Sequence, residues 1–138
     1  MLQTPMQIAG AILTLLVTSA VLLWGGRPER IAALASLTAF LVSPLAQALG
    51  GERWPMWGVA AVDAALLAVL IMLVLRHDRI WLIVAAGVEL VTVAAHVGMM
   101  LDEDLLARGY VVSLWILYFI FLGALAFSLV ETRARTAG

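Results

Sequence analysis

Uncharged stretches of 21 residues or more occur three times in the chain, over 1–26, 31–51 and 109–130. Two further apolar stretches of similar length are each interrupted by a single carboxylate, Asp63 in one and Glu89 in the other. A hydrocarbon layer ~30 Å thick is crossed by about 20 apolar residues in α-helical conformation. The pattern therefore predicts an all-α, integral membrane bundle of five transmembrane helices, at about 5–24, 30–49, 54–76, 80–101 and 109–130. These segments use up nearly all of the 138 residues, which leaves one five-helix domain, 1–138, and no room for a soluble one.

Glycine and proline punctuate the segments where helices should stop and start. Gly25-Gly26 closes the first helix, and Pro28 followed by Glu29 suits the opening turn of the second. Gly50-Gly51 ends the second, and Trp54-Pro55 begins the third. Only His77, Asp78 and Arg79 separate the third helix from the fourth, a link so short that these two must be antiparallel neighbours. Pro44, preceded by Ser43, removes a backbone hydrogen bond inside the second helix and is expected to bend it. The first helix has neither a basic segment before it nor a small-residue cleavage site after it, and is read as retained rather than as a signal peptide.

Charge then sets the direction of threading. Arg27, Arg30, Arg76, Arg79, Arg133 and Arg135 fall at one end of the predicted bundle, against Arg53 and Arg108 at the other. Basic residues are retained on the cytoplasmic side, so the N-terminus is expected outside and the C-terminus in the cytoplasm. On that assignment Trp24 and Trp81 mark the inner interface, and Trp54 and Trp57 the outer one.

Composition narrows the picture without enlarging it. Hydrophobic residues make up 64% and charged residues 12%, far from the usual soluble mixture, so lipid is the expected solvent. A net charge of −1 with no basic patch sets nucleic acid aside as a partner. Absence of cysteine removes disulfides, thiolate metal sites and thiol catalysis together. All 8 basic residues are Arg, among abundant Ala, Leu, Val and Gly, which points to a GC-rich bacterial genome and hence to a multi-pass protein of the bacterial cytoplasmic (inner) membrane.

The candidate chemistry lies in the charges that interrupt the apolar runs. A carboxylate at mid-bilayer costs at least ~2.5 kcal/mol, so Asp63 and Glu89 must face protein or water. Glu89, Thr92 and His96 follow helical spacing and form one polar stripe on the fourth helix. Counting ~1.5 Å per residue from the outer ends puts His96 at ~8 Å, Asp63 at ~12 Å and Glu89 at ~18 Å depth, with Trp115 at ~9 Å and Tyr118 at ~14 Å. The predicted polar intramembrane site is therefore Asp63, Glu89, Thr92 and His96, with Asp63 facing His96 and with Trp115 and Tyr118 closing it from the fifth helix. The plainer reading of the same residues is an Asp–His pair that fixes helix register beside a neutral Glu hydrogen-bonded to backbone.

Methionines Met56, Met99 and Met100 near His96 suggest a minor alternative, a thioether–imidazole metal site, and His96 beside Ala94 and Ala95 could also hold a porphyrin-type ligand. Methionine serves more often as adaptable packing, and no cofactor is predicted. His77 and His96 are ~25 Å apart along the membrane normal and cannot share one haem. His77, between Arg76 and Asp78, reads as a solvated turn residue, and Ser43, Ser113 and Ser128 as backbone-bonded hydroxyls.

No phosphate-binding loop, HExxH or G-x-S-x-G motif is present, so no enzyme activity is expected. Small residues four apart, Ala60/Ala64, Ala61/Ala65 and Ala94/Gly98, permit close helix approach. The leading expectation is a small non-enzymatic polytopic protein, an accessory or assembly subunit of a larger membrane complex or a homo-oligomer. Its partners are then the lipid bilayer and other membrane subunits or itself. The alternative is a small transporter or proton-coupled carrier using Asp63, Glu89 and His96, with an intramembrane enzyme or metal handler third.

Overall fold

The computed structural model describes residues 5–49, 55–101 and 107–137. Its helices are α1 (Pro5–Trp24), α2 (Arg27–Leu49), α3 (Pro55–Arg76), α4 (Ile80–Leu101) and α5 (Ala107–Thr136), all long and apolar enough to cross a membrane. Each packs against its neighbours in sequence, α5 closes the ring against α1, and α2 also touches α5 across the centre. The chain is thus an all-helical bundle compatible with a multi-pass membrane protein.

Two helix boundaries differ from the sequence expectation by three residues or more, while α3 starts one residue later and α5 two residues earlier than expected. Helix α2 starts three residues earlier than 30, because the Gly26 carbonyl already accepts the Arg30 N–H at 3.0 Å and Pro28 tolerates a first turn that needs no donor there. Helix α5 runs six residues past 130 as a polar extension, since Glu131, Thr132 and Arg135 all make contacts that reward the helical conformation. Trp54, Arg53, Gly50, Gly51 and the acidic loop Asp102-Glu103-Asp104 lie outside the described residues, as do the side chains of Met56 and Arg108.

The dry core sits in the half of the bundle that carries the arginines. Val21, Ala32, Ala33, Leu70, Leu73, Trp81, Leu82, Ala85 and Leu125 are all buried there. Trp81, expected in an interfacial belt, is instead the largest fully buried side chain, while Trp24 and Trp57 are exposed. The reason is local: Glu131 of α5 accepts the Ile80 and Trp81 backbone N–H groups, both at 3.3 Å, and so caps α4 from outside its own chain segment. That cap draws the start of α4 under α5 and buries the indole.

The same end is tied further by Glu29, which has no exposed surface. Its Oε1 accepts from Thr132 Oγ1 at 3.0 Å and lies 4.0 Å from Arg79 Nε. Arg135 donates to the Asp78 carbonyl at 2.6 Å and pairs with Glu131 at 3.2 Å. These contacts bring the start of α2, the α3–α4 turn and the end of α5 to one face. His77, expected to be solvated, is half-buried, with Nδ1 3.2 Å from the Leu73 carbonyl at the end of α3.

At Gly25 a Cβ would fall 2.5 Å from the Val21 carbonyl and 2.8 Å from Glu29 Cβ, so the α1–α2 turn needs glycine to let Glu29 in. At Gly10 a Cβ would fall 2.9 Å from the Trp115 ring, which marks the close approach of α1 and α5. Gly10→Leu is therefore expected to separate these helices and cost about 1–3 kcal/mol by overpacking. Retained stability on detergent unfolding would contradict that close approach.

Candidate functional site

In the half away from the arginines the interior turns polar. Helical spacing on α4 directs Ala85, Glu89 and His96 inward, and all three are buried. Antiparallel α3 brings Asp63 to the same level. His96 Nε2 lies 2.7 Å from Asp63 Oδ2, so the expected contact between these two is present. Their side chains are 5% and 14% exposed, which makes this a largely buried pair.

The second ring nitrogen is also engaged. Tyr110, in the first turn of α5, places its hydroxyl 2.5 Å from His96 Nδ1, and the two rings meet edge to face at 5.7 Å. With Nε2–H donating to the carboxylate, Nδ1 of a neutral imidazole accepts from the phenol. Tyr110, His96 and Asp63 thus form one hydrogen-bonded chain that joins α5, α4 and α3. The chain can pin three helices, and it can relay a proton between its ends.

Glu89 lies about two turns deeper on the same face of α4. It is buried, and its Oε1 has no hydrogen-bond partner among the described residues. Thr92, between Glu89 and His96 in sequence, turns its hydroxyl back to the Val88 carbonyl at 3.1 Å and stays out of the chain. A buried carboxyl oxygen without a partner is costly, so Glu89 is the least satisfied polar group of this half.

Trp115 and Tyr118 do not close this site. Both face α1: the Trp115 ring lies against Gly10, and Tyr118 bonds to the Thr14 hydroxyl and reaches the Gly10 carbonyl at 3.3 Å. Their depth matched, but their angular position on α5 points them a third of a turn away from α4. Tyr110 takes the place foreseen for them. The signal was its register: 110, 114, 117, 121, 125 and 128 lie on one stripe of α5, of which Phe121, Leu125 and Ser128 are buried.

Both ring nitrogens of His96 are engaged, Nε2 with Asp63 and Nδ1 with Tyr110, so a metal at His96 would have to displace one of these partners. Among the described residues no group of three or more His, Asp or Glu is arranged to hold a metal ion. Met99 and Met100 are half-buried beyond His96 toward the end of α4.

Comparison with family models, curated proteins and solved structures finds no match. Function must be read from this geometry alone.

Proposed function

We propose that the chain is a small, non-enzymatic membrane protein that acts by packing against a partner helix, as an accessory or assembly subunit or as a homo-oligomer. The observation that carries this reading is the outward face of α3 and α4. Ala61, Ala64, Ala65 and Ala68 on α3, and Gly87, Ala94 and Gly98 on α4, are all exposed on the outside of the bundle. A Cβ at Gly87 or Gly98 would meet no atom within 4 Å. Small residues at helical spacing let a second helix approach closely in lipid, where packing and not the hydrophobic effect drives association. Under this reading the Tyr110–His96–Asp63 chain is a brace that fixes the register of three helices.

Ala65→Leu with Ala68→Leu adds bulk to that outward face without touching the bundle interior. The pair of changes is expected to release co-purifying chains, or to convert an oligomer to a monomer, with helix content unchanged. A wild-type chain extracted from native membranes as a lone monomer would sink the proposal.

Membrane threading belongs to the same reading, with the N-terminus outside, the C-terminus in the cytoplasm and a bacterial inner membrane as the location. It is supported by six arginines at one end of the bundle. Cysteine at Gly51 or Leu106 is expected to react with an impermeant reagent added outside, and cysteine at Gly26 or Ala137 is not. Reversed labelling overturns the orientation.

A second reading, a small proton-coupled carrier, is favoured by one feature, the buried and unpartnered Oε1 of Glu89 beneath a hydrogen-bonded chain. Intramembrane carboxylates of this kind serve as proton-exchange sites. The two readings part at Glu89→Gln, which keeps shape and one hydrogen bond. A scaffold should fold and assemble as before, whereas a carrier should fold but lose proton-coupled movement. A protonated carboxylic acid band in infrared spectra is expected to vanish in this variant, and an ionised Glu89 at neutral pH would refute its protonation under either reading.

A further inference from the structure

Two apolar furrows open on the surface of the arginine-rich end, one on either side of Ile31. The first, about 380 Å³, runs between α2 and α3 and is lined by Arg27, Ile31, Val69, Met72, Arg76 and His77 among others. The second, about 550 Å³, is lined by Gly25, Gly26, Arg27, Arg30, Ile31 and Leu34. They share Arg27 and Ile31. Each begins at guanidinium groups and becomes wholly apolar within seven residues, from Arg76 to Val69 in one and from Arg27 to Leu34 in the other. Seven helical residues are ~10 Å. One charged mouth thus opens onto a furrow between α2 and α3 and onto a shallower, more open apolar face along α2 itself, and both run the same way along the bundle.

The charge at that mouth is not paired among the described residues. The ion pairs among the described residues are Arg79 with Glu29, Arg135 with Glu131 and His96 with Asp63, so neither Arg27 nor Arg76 meets a carboxylate. Arg30 only grazes the Leu23 carbonyl at 3.5 Å. Glu29, adjacent in sequence, is turned inward to Thr132 and does not neutralise them. Guanidinium groups bind phosphate oxygens bidentately, and basic pockets between membrane helices take anionic headgroups.

We propose that this place binds one anionic diacyl phospholipid from the leaflet on the arginine-rich side. Its phosphate rests on Arg27 and Arg76 with Arg30 beside them, and its two acyl chains lie along the two furrows astride Ile31. Two chains and one phosphate match two furrows and one cationic mouth. A soluble phosphate compound would satisfy the arginines and leave both furrows unused, so the lipid is the occupant that the arrangement selects. The proposal rests on the membrane reading, and the labelling experiment above tests that reading separately.

The test uses the full chain purified in a neutral detergent, with phosphatidylglycerol and phosphatidylcholine offered in equal amounts and retention measured by native mass spectrometry. One molecule of phosphatidylglycerol is expected to be retained in preference. Arg27→Gln and Arg76→Gln should each weaken retention about fivefold. Arg133→Gln, an exposed arginine of the same end that lines neither furrow, should leave it unchanged. Val69→Trp, which blocks one furrow and keeps every charge, should also weaken it. Equal retention of both lipids overturns the proposal. So does an Arg133→Gln loss as large as that of Arg27→Gln, which would mean diffuse charge attraction. Displacement of the lipid by millimolar inorganic phosphate alone, or full retention in a folded Val69→Trp, overturns the part played by the furrows. Arg27→Gln sits on the surface and folds independently of the furrow, so it remains decisive if Val69→Trp does not fold.

Discussion

Asp63→Asn and His96→Gln are each expected to lower stability by about 1–2 kcal/mol, with the double variant losing less than the sum by about 1 kcal/mol. The size follows from the medium. Interhelical hydrogen bonds in lipid average ~0.6 kcal/mol and reach ~1.7 kcal/mol, because a helix separated from its partner still finds others in the membrane. This pair lies at the upper end, since the contact is 2.7 Å and both side chains are largely buried. Tyr110→Phe removes the hydroxyl on the other ring nitrogen and should couple to His96→Gln in the same way. Glu89→Gln should not couple to Tyr110→Phe, as no bond joins them. Unfolding in mixed micelles of rising denaturing-detergent content would measure all four variants and their pairs. Strictly additive losses at Asp63 and His96 would mean that the two groups do not share an interaction.

How far this cluster could be read from sequence depended on what each count measures. Rise per residue gives height, and the three-residue link between α3 and α4 gives adjacency. Together they were enough to place Asp63 opposite His96. Neither gives rotation about a helix axis, and for that reason Trp115 and Tyr118 were assigned to the site on height alone. The rotation of α5 is set by its buried stripe through Phe121, Leu125 and Ser128 and by Gly10 on α1, which admits the Trp115 ring. That second contact, with the bonds of Tyr118 to Thr14 and the Gly10 carbonyl, puts Trp115 and Tyr118 in the α1–α5 seam.

The helices were legible for a simpler reason: an apolar run long enough to span lipid has few other conformations open to it. Their ends were less so. Polar residues near a helix end look alike whether they face water or are packed, and 131–136 read as a tail although Glu131 caps α4 and Thr132 binds Glu29. Trp81 was misplaced by the same ambiguity, since a Trp near a helix start suits both an aromatic belt and a buried corner. At the ends of a membrane bundle, tertiary contacts outweigh the statistical preference for the interface.

The contrast between the two halves also bears on function. The arginine-rich half holds the apolar core and a set of caps and ion pairs that lock α2, α4 and α5 together. Across the bundle, the other half is held by the polar chain through His96, and each half has an acid with an unpartnered oxygen, Glu29 Oε2 in one and Glu89 Oε1 in the other. A rigid base with a polar upper interior suits a subunit braced at one end. It equally suits a carrier whose moving part lies away from the arginines. The Glu89→Gln comparison separates these because only a carrier needs the proton.

Glu29→Ala is the other large effect, expected at about 2–4 kcal/mol of lost stability. The carboxylate is wholly buried, and it is held by Thr132 from α5, by Arg79 from the α3–α4 turn and by the N-terminal end of its own helix, where the dipole favours an anion. Gly25 and Gly26 lie close against it, since a Cβ at either would fall 2.8 Å from a Glu29 atom. Truncation therefore opens a cavity and leaves the largely buried Arg79 without its carboxylate. Glu29→Gln separates the contributions, because the amide still accepts from Thr132 Oγ1 but carries no charge. A loss close to that of Glu29→Ala means that the charge pairing with Arg79 dominates. A near-wild-type Glu29→Gln means that shape and the Thr132 bond dominate, and Thr132→Val should then cost about 1 kcal/mol by itself. If Glu29→Ala unfolds at the same detergent fraction as the wild type, the α2–α5 tie across the centre of the bundle contributes nothing.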